Sequence, residues 1–165
     1  LQTTIYMHQG KAERAAKDLE SALLIALNKV QILLYKMVDA ELAAGEQQAA
    51  LYIADKADQM AKMFDLWEYN SFVASLQIAL AEKNTGKCLQ ILRSMLEAML
   101  VPWDMAKSPL FQRISESANS TDPKQMLPAI LQEMERDENY AFLQSSNEFR
   151  LLIAEYRELT SDKRS

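Results

Sequence analysis

A chain of 165 residues with 49% apolar residues is long enough to form one domain with a hydrophobic core, and this composition excludes a largely disordered protein. Its net charge of −5, without a cluster of Lys and Arg, argues against a surface that grips a nucleic-acid backbone. The one cysteine, Cys88, excludes an internal disulfide framework and fits a reducing, cytoplasmic compartment.

The composition favours helices, because strong helix formers dominate and only three Gly and four Pro are present to interrupt them. No uninterrupted run of 18 apolar residues occurs. The densest apolar stretch, residues 22–44, contains six polar or charged side chains. This stretch therefore favours a buried helix over a membrane span, and we expect no membrane contact.

The three glycines suggest an internal repeat. Each glycine precedes a stretch with apolar residues five, nine and twelve places later, and steps of four and three keep such residues on one side of a helix. The glycines lie 35 and 41 residues apart, which indicates a helix-turn-helix unit used three times. After Gly10, Gly45 and Gly86, the aligned residues are Ala15, Leu19 and Ala22; Ala50, Ala54 and Ala57; and Ile91, Met95 and Ala98.

Residues 11–44 contain no strong helix breaker, so two interpretations stay open. One is a single helix that runs to Gly45. The other is a pair of helices that meet at a turn near residues 26–29, where Asn28 is the local turn former. The glycine spacing favours two helices. Gly45 itself suits the left-handed position after a helix C-terminus.

Further helices are predicted over residues 47–64, 71–83 and 87–101, with a connection at 65–70 and a turn at 84–86. Pro102 ends the last of these.

Two cap-plus-proline signals, Ser108-Pro109 and Asp122-Pro123, predict helices over 109–114 and 123–136. Pro128 should kink or restart the second helix. A polar loop is expected over 115–121. A short helix or turn over 137–146 precedes a last helix over 148–159, whose inward residues are Phe149, Leu152, Ile153 and Tyr156.

The repeated pattern of a glycine followed by a helix with Ala, apolar and Ala positions resembles the tetratricopeptide (TPR) repeat. Glu41 and Glu82 depart from it, since the family places an aromatic residue near the end of its first helix. The resemblance implies an all-α fold of TPR-like antiparallel helix pairs stacked as an α-α superhelix. It divides the chain into TPR-like repeats (residues 1–102), a C-terminal helical cap (103–160) and a disordered tail (161–165).

The connector PWDMAKSPLFQRI after the helix pairs resembles the C-terminal region of phage-repressor-type (XRE) bacterial transcription regulators. The later segment DENYAFLQSSNEFRLLIAEYR is similar to the closing segment of TPR-like arrays. These resemblances imply a sensor or dimerisation domain and hence a possible homodimer. The DNA-reading helices of such a regulator would lie upstream of Leu1, so this segment itself would make no direct nucleic-acid contact.

No catalytic or metal-binding constellation is recognisable. His8 is the one histidine, so neither a zinc site nor a base for Cys88 is at hand. The many carboxylates include no E-x-x-H pair, and Asp55 and Asp58 are expected on a solvated helix face. The chain has no phosphate-binding loop, dinucleotide fingerprint or nucleophile elbow. We therefore expect no catalytic residues, no metal and no cofactor.

Two features point to binding. In a stacked helical array the first helices of the pairs line a concave groove, so polar side chains there are candidates for holding a peptide backbone. The alternative is that they merely face water. The candidates are Gln31, Tyr35, Lys36, Asp39, Ser75 and Gln77. Five methionines could form an adaptable interface, but their helical spacing favours the core: Met60, Met63, Met95, Met99 and Met105.

The sequence therefore predicts a non-catalytic module that binds a protein or peptide ligand, as the sensor or dimerisation domain of a bacterial transcription regulator. The alternative is a freestanding helical-bundle adaptor or a chaperone-like protein.

Overall fold

The computed structural model describes residue 4 and residues 11–115 and 123–161. Every regular element in these ranges is helical, so the predicted all-α class is confirmed. The α-helices are α1 (Ala12–Ala44), α2 (Gln47–Met63), α3 (Val73–Ala81), α4 (Thr85–Leu100), α5 (Gln112–Ser115), α6 (Pro123–Arg136) and α7 (Asn147–Ser161). Short 3-10 segments cover Glu68–Ser71, Met105–Lys107 and Glu138–Leu143.

Helix α1 is unbroken over 33 residues, so the turn expected near residues 26–29 is wrong. Asn28 is a weak helix former but not a breaker, and its side chain lies on the exposed side of the helix. Helix α1 contacts α2, α3 and α5, and this packing along its length favours a continuous helix through that position. In the first of the three expected units Ala15 is buried, but Leu19 and Ala22 are exposed, and Gly10 lies outside the described residues.

Three consecutive helices end with the same backbone motif, in which a left-handed residue follows the helix. After α1 it is Gly45, at φ +80°, and the amides of Gly45 and Glu46 donate to the carbonyls of Leu42 and Glu41 at 3.1 and 2.9 Å. The predicted role of Gly45 is thus confirmed. Asp65 (φ +51°) and Lys83 (φ +49°) hold the equivalent place after α2 and α3.

Gly86 is not equivalent to Gly45, because it lies inside the first turn of α4. The side chain of Asn84 caps that helix by accepting a hydrogen bond from the amide of Lys87 at 3.1 Å. The chain reversal before α4 is made by Lys83 instead. The apolar residues have the same spacing after Gly45 and after Gly86, but the two glycines have different backbone roles.

Alanines allow α2 to approach its neighbours closely. Ala50, Ala54, Ala57 and Ala61 recur at steps of four, three and four residues, and all are buried. The first three form a seam with Val38 of α1 and Ile78 of α3, and Ala61 extends it by packing with Leu27 of α1 in a second cluster. Small side chains bring helix axes together. The predicted inward residues after Gly45 are confirmed, as are Met95 and Ala98 after Gly86, with Ile91 half-buried.

The largest core lies towards the C-terminus, where α4, α6, α7 and the segment Glu138–Leu143 meet. All four predicted inward residues of the last helix are buried. Helix α6 has its expected bounds and continues through Pro128 without a restart. The helix expected over 109–114 begins later, at Gln112, because the amide of Phe111 first closes a turn onto the carbonyl of Ser108 at 3.0 Å.

Two sequence predictions fall largely on residues that the structure does not describe. The expected polar loop lies mostly within 116–122, and the tail within 162–165. Ser161, predicted to open the tail, is the last residue of α7.

Gly45→Ala and Gly86→Ala should shift stability in opposite directions. Gly45→Ala should lower the free energy of unfolding by about 1 kcal/mol, because a side chain there is strained by its left-handed backbone although nothing lies within 4 Å of its new Cβ. Gly86→Ala should raise it by roughly 0.5–1 kcal/mol, since alanine loses less entropy in a helical turn. Urea denaturation measures both.

Lys83→Gly provides the converse variant, because it relieves a left-handed non-glycine residue and should raise the free energy of unfolding by a similar amount. Equal effects of the two Gly→Ala substitutions would contradict this assignment of backbone roles.

Candidate functional site

The structure joins three of the six predicted binding residues. The side-chain amide of Gln77 donates to Asp39 Oδ1 at 2.8 Å and to the backbone carbonyl of Tyr35 at 3.2 Å. The Tyr35 hydroxyl donates to the carbonyl of Asn70 at 3.0 Å. This group fastens the C-terminal half of α1 to α3 and to the connection before it.

The other three predicted residues lie apart from this group. Ser75 donates its hydroxyl hydrogen to Asp58 of α2. Gln31 is buried at 3% exposure. Lys36 is on the exposed side of α1 and makes no hydrogen bond or ion pair within the described residues. A single groove lined by all six residues is therefore wrong.

The interior between α1, α2 and α3 holds polar atoms that lack partners. Within the described residues these are Gln31 Nε2, Asp58 Oδ1 and Gln77 Oε1. Asp58 was expected on a solvated helix face, but it is half-buried, whereas Asp55 is exposed. Burial raises the pKa of Asp58 to about 6, although the Ser75 hydrogen bond and Lys62 act to lower it.

Asp58→Asn should stabilise the protein near pH 7.5 and not near pH 4. A carboxyl whose pKa is raised on folding is favoured in its protonated form, so its contribution falls as the pH rises from about 4 to about 6 and is lost above. The neutral amide imitates the protonated state. After allowance for solvent screening, we expect a gain of about 1 kcal/mol at pH 7.5, read from urea denaturation at both pH values.

Asp55→Asn is the matched control on the same helix, since Asp55 is exposed, accepts a hydrogen bond from Gln59 and lies 3.9 Å from Lys56 Nζ. A pH-independent effect of Asp58→Asn would contradict the buried-carboxyl interpretation.

An open cleft of about 780 Å³ lies where the end of α1, helix α3 and the Glu138–Leu143 segment meet. Two of the predicted binding residues, Asp39 and Gln77, line it. Its apolar lining comes from Leu42, Val73, Leu80, Tyr140 and Phe142. We call this feature the acidic cleft, because its charged lining residues are Asp39, Glu133, Asp137 and Glu138, with Lys83 as the one basic residue among them.

The electrostatic environment of Tyr140 reflects the cleft's charge. Burial raises the pKa of its phenol, and the neighbouring Asp137 and Glu133 raise it further. Sequence reasoning missed this wall of the cleft, because residues 133–142 reach α1 and α3 only through the tertiary fold. No local pattern in the sequence marks that approach.

The described residues offer no site for a metal, since no group of three or more His, Cys, Asp or Glu side chains is suitably arranged. His8 lies outside them. Cys88 is buried, and burial raises the pKa of its thiol to about 11, so it is a poor nucleophile at neutral pH. Of the five methionines, Met95 and Met99 are buried, Met60 and Met105 half-buried and Met63 exposed.

An ion pair between the buried Glu20 and the half-buried Arg113 docks α5 against α1, and no sequence signal pointed to it. Glu20 is 7% exposed and its Oε2 accepts hydrogen bonds from the amides of Arg113 and Ile114 at 2.8 and 3.2 Å. Its Oε1 accepts from Arg113 Nη1 at 2.7 Å. Burial acts to raise the pKa of Glu20, but these hydrogen bonds outweigh burial and lower it. This contact is structural.

Helix α1 is long and apolar enough to cross a membrane by length and composition alone, with a mean hydropathy of 1.4 in its most apolar window. Core helices of soluble proteins and signal sequences meet the same criterion, so this is weak evidence of a span. Only 17% of that window is buried. The prediction of a buried helix for residues 22–44 is therefore wrong for much of the helix surface.

Comparison of the chain with protein-family models, curated proteins and solved structures gave no match.

Proposed function

We propose that this chain is a non-catalytic, cytoplasmic module that binds a protein or peptide in the acidic cleft. The observation that carries the proposal is the lining of the cleft. Four carboxylates and several apolar side chains line a concavity of about 780 Å³, a volume suited to a short segment of peptide. The complementary ligand is a basic segment that carries at least one large apolar side chain.

The polar wall of the cleft suits a peptide backbone. Asp39 and Gln77 are held in place by their mutual hydrogen bond of 2.8 Å. Asp39 is exposed, so its carboxylate has the capacity to accept an amide hydrogen from a ligand. Positions fixed before binding lose less conformational entropy when the ligand arrives.

The wider role that we propose is the sensor or dimerisation region of a bacterial transcription regulator, with helix pairs stacked in a TPR-like manner. Support comes from the residue pattern after Gly45 and Gly86 and from the connector over residues 102–114. The pairs α1/α2 and α3/α4, each joined by a tight reversal, are compatible with such stacking.

A fluorescent twelve-residue peptide of alternating Lys and Leu should bind the full chain, and Glu133→Gln with Glu138→Gln should weaken binding at least fivefold. The reason is the loss of two of the four lining carboxylates. Anisotropy titrations at low and high salt measure this, and binding should weaken as salt rises.

The matched control is Glu148→Gln with Glu158→Gln, which removes the same charge from the exposed side of α7. A peptide of alternating Glu and Leu should not bind. Equal binding of both peptides, or equal loss in the control variant, would contradict the cleft as the binding site.

A further inference from the structure

Helix α1 carries a continuous apolar stripe on a side that no described element covers. Successive members lie three or four residues apart, so they share one face of the helix. Leu19, Val30, Leu33 and Met37 are 54%, 43%, 58% and 48% exposed, which is high for large apolar side chains. The outer stripe comprises Leu19, Ala22, Ala26, Val30, Leu33, Met37 and Ala40, all exposed.

We propose that the outer stripe binds a second copy of this chain, with the two α1 helices antiparallel and a twofold axis near residue 28. This interface would supply the dimer of the proposed regulator, but it does not depend on the acidic cleft. In an isologous interface residue i of one copy contacts residue j of the other and residue j contacts residue i, so one surface must complement itself.

The order of side-chain sizes along the stripe provides that complementarity. With the axis near residue 28, Leu19 faces Met37 of the second copy, Ala22 faces Leu33 and Ala26 faces Val30. Ala22 and Ala26 thus each meet a larger residue, whereas Ala40, at the end of the stripe, lies opposite Ala16. A parallel pair would set Ala22 and Ala26 against themselves and leave gaps, while the larger residues would collide.

Charges beside the stripe favour the same arrangement. Asp18 and Lys36 border it on one side, and neither makes an ion pair in the described part of the chain. In antiparallel helices the same side of each helix meets, so the common axis brings Asp18 near Lys36 of the second copy, twice per dimer. Lys29 lies near the axis and would face Lys29 of the second copy, and this contact is repulsive.

The contact has a limited length. Residues 19 to 37 span about 27 Å of helix, which places the interface at the small end of specific protein contacts. We therefore expect a dimer that dissociates in the micromolar range. The mass of the monomer is 18.8 kDa, so association is readily seen as a doubling.

Sedimentation velocity of the full chain from 2 to 200 µM tests the proposal. The wild type should shift from monomer towards dimer across this range. Leu33→Glu should raise the dissociation constant at least tenfold. The matched control is Ile32→Glu, at a neighbouring side chain that is 52% exposed but lies about 100° away around the helix, and it should change the constant less than twofold.

A charge exchange tests the orientation. Asp18→Lys should weaken the dimer, and adding Lys36→Asp should restore it, because the pair is only reversed. Lys29→Gln should tighten the dimer by removing the repulsion at the axis. Circular dichroism confirms that each variant is folded, and the exposed positions make this the expected result.

Three results would overturn the proposal. A monomer at 200 µM excludes self-association, and equal disruption by Ile32→Glu excludes the stripe as the interface. Flotation with phosphatidylcholine vesicles tests the alternative that the outer stripe binds a lipid surface. A monomeric chain that floats with these vesicles, and stops doing so after Leu33→Glu, would assign the stripe to a lipid surface instead.

Discussion

The close approach of α1 to the alanine seam of α2 is the constraint on which the rest of the structure depends. Four alanines with buried Cβ atoms let the two helices meet along much of their length. Because α1 stays helical throughout, its packing against α2 also positions its N-terminal half against α5 and its C-terminal half against α3. A larger side chain anywhere in the seam would push these elements apart.

Each half of the rod is then fixed by a different polar contact. In the N-terminal half, the buried Glu20 caps α5 and pairs with Arg113. In the C-terminal half, Gln77 donates to the Tyr35 carbonyl and to Asp39, and Asp39 and Gln77 line the acidic cleft. Hydrogen bonds between partly or fully buried polar groups favour the arrangement in which their partners meet. The contacts that fix the position of α1 therefore also shape the acidic cleft.

The joint after α2 links this rod-based half to the remaining chain. Asp65 adopts a left-handed backbone, its carbonyl accepts from Trp103 Nε1 at 2.9 Å, and its carboxylate accepts from Ser108 at 2.7 Å. Trp67 Nε1 donates in the opposite sense to the carbonyl of Val101 at 3.2 Å. One reversal thus sets the path of two connections that are distant in sequence.

The fold class, most helix bounds and the left-handed Gly45 could be predicted, because propensity, periodicity and caps act locally. The turn near Asn28 could not be judged from the sequence, since a weak helix former yields to packing against three other helices. Lys83 and Asp65 gave no signal as left-handed residues, because neither is glycine. Only part of the lining of the acidic cleft could be predicted. Asp39 and Gln77 follow from helical periodicity, but Glu133 and Tyr140 come close to them only in the tertiary fold.

The exposed face of α1 shows a second limit of prediction from the sequence. Its apolar residues were expected to be buried, because periodicity shows that a face is apolar but not which molecule covers it. Leu33 and Met37 share the helix with Val38, yet only Val38 is covered within the described chain. A helix with two apolar faces fits a rod that packs inside its own domain on one side and offers the other for association.

The unbroken rod is tested most directly by a distance between spin labels at residues 18 and 43, introduced as cysteines in a Cys88→Ala background and diluted with unlabelled protein. Twenty-five residues of continuous helix separate these positions by about 38 Å. Pulsed dipolar spectroscopy should therefore give one distance distribution centred near 40 Å. A distribution centred below about 20 Å would show that the chain reverses near Asn28, and it would contradict both the rod and the outer stripe built on it.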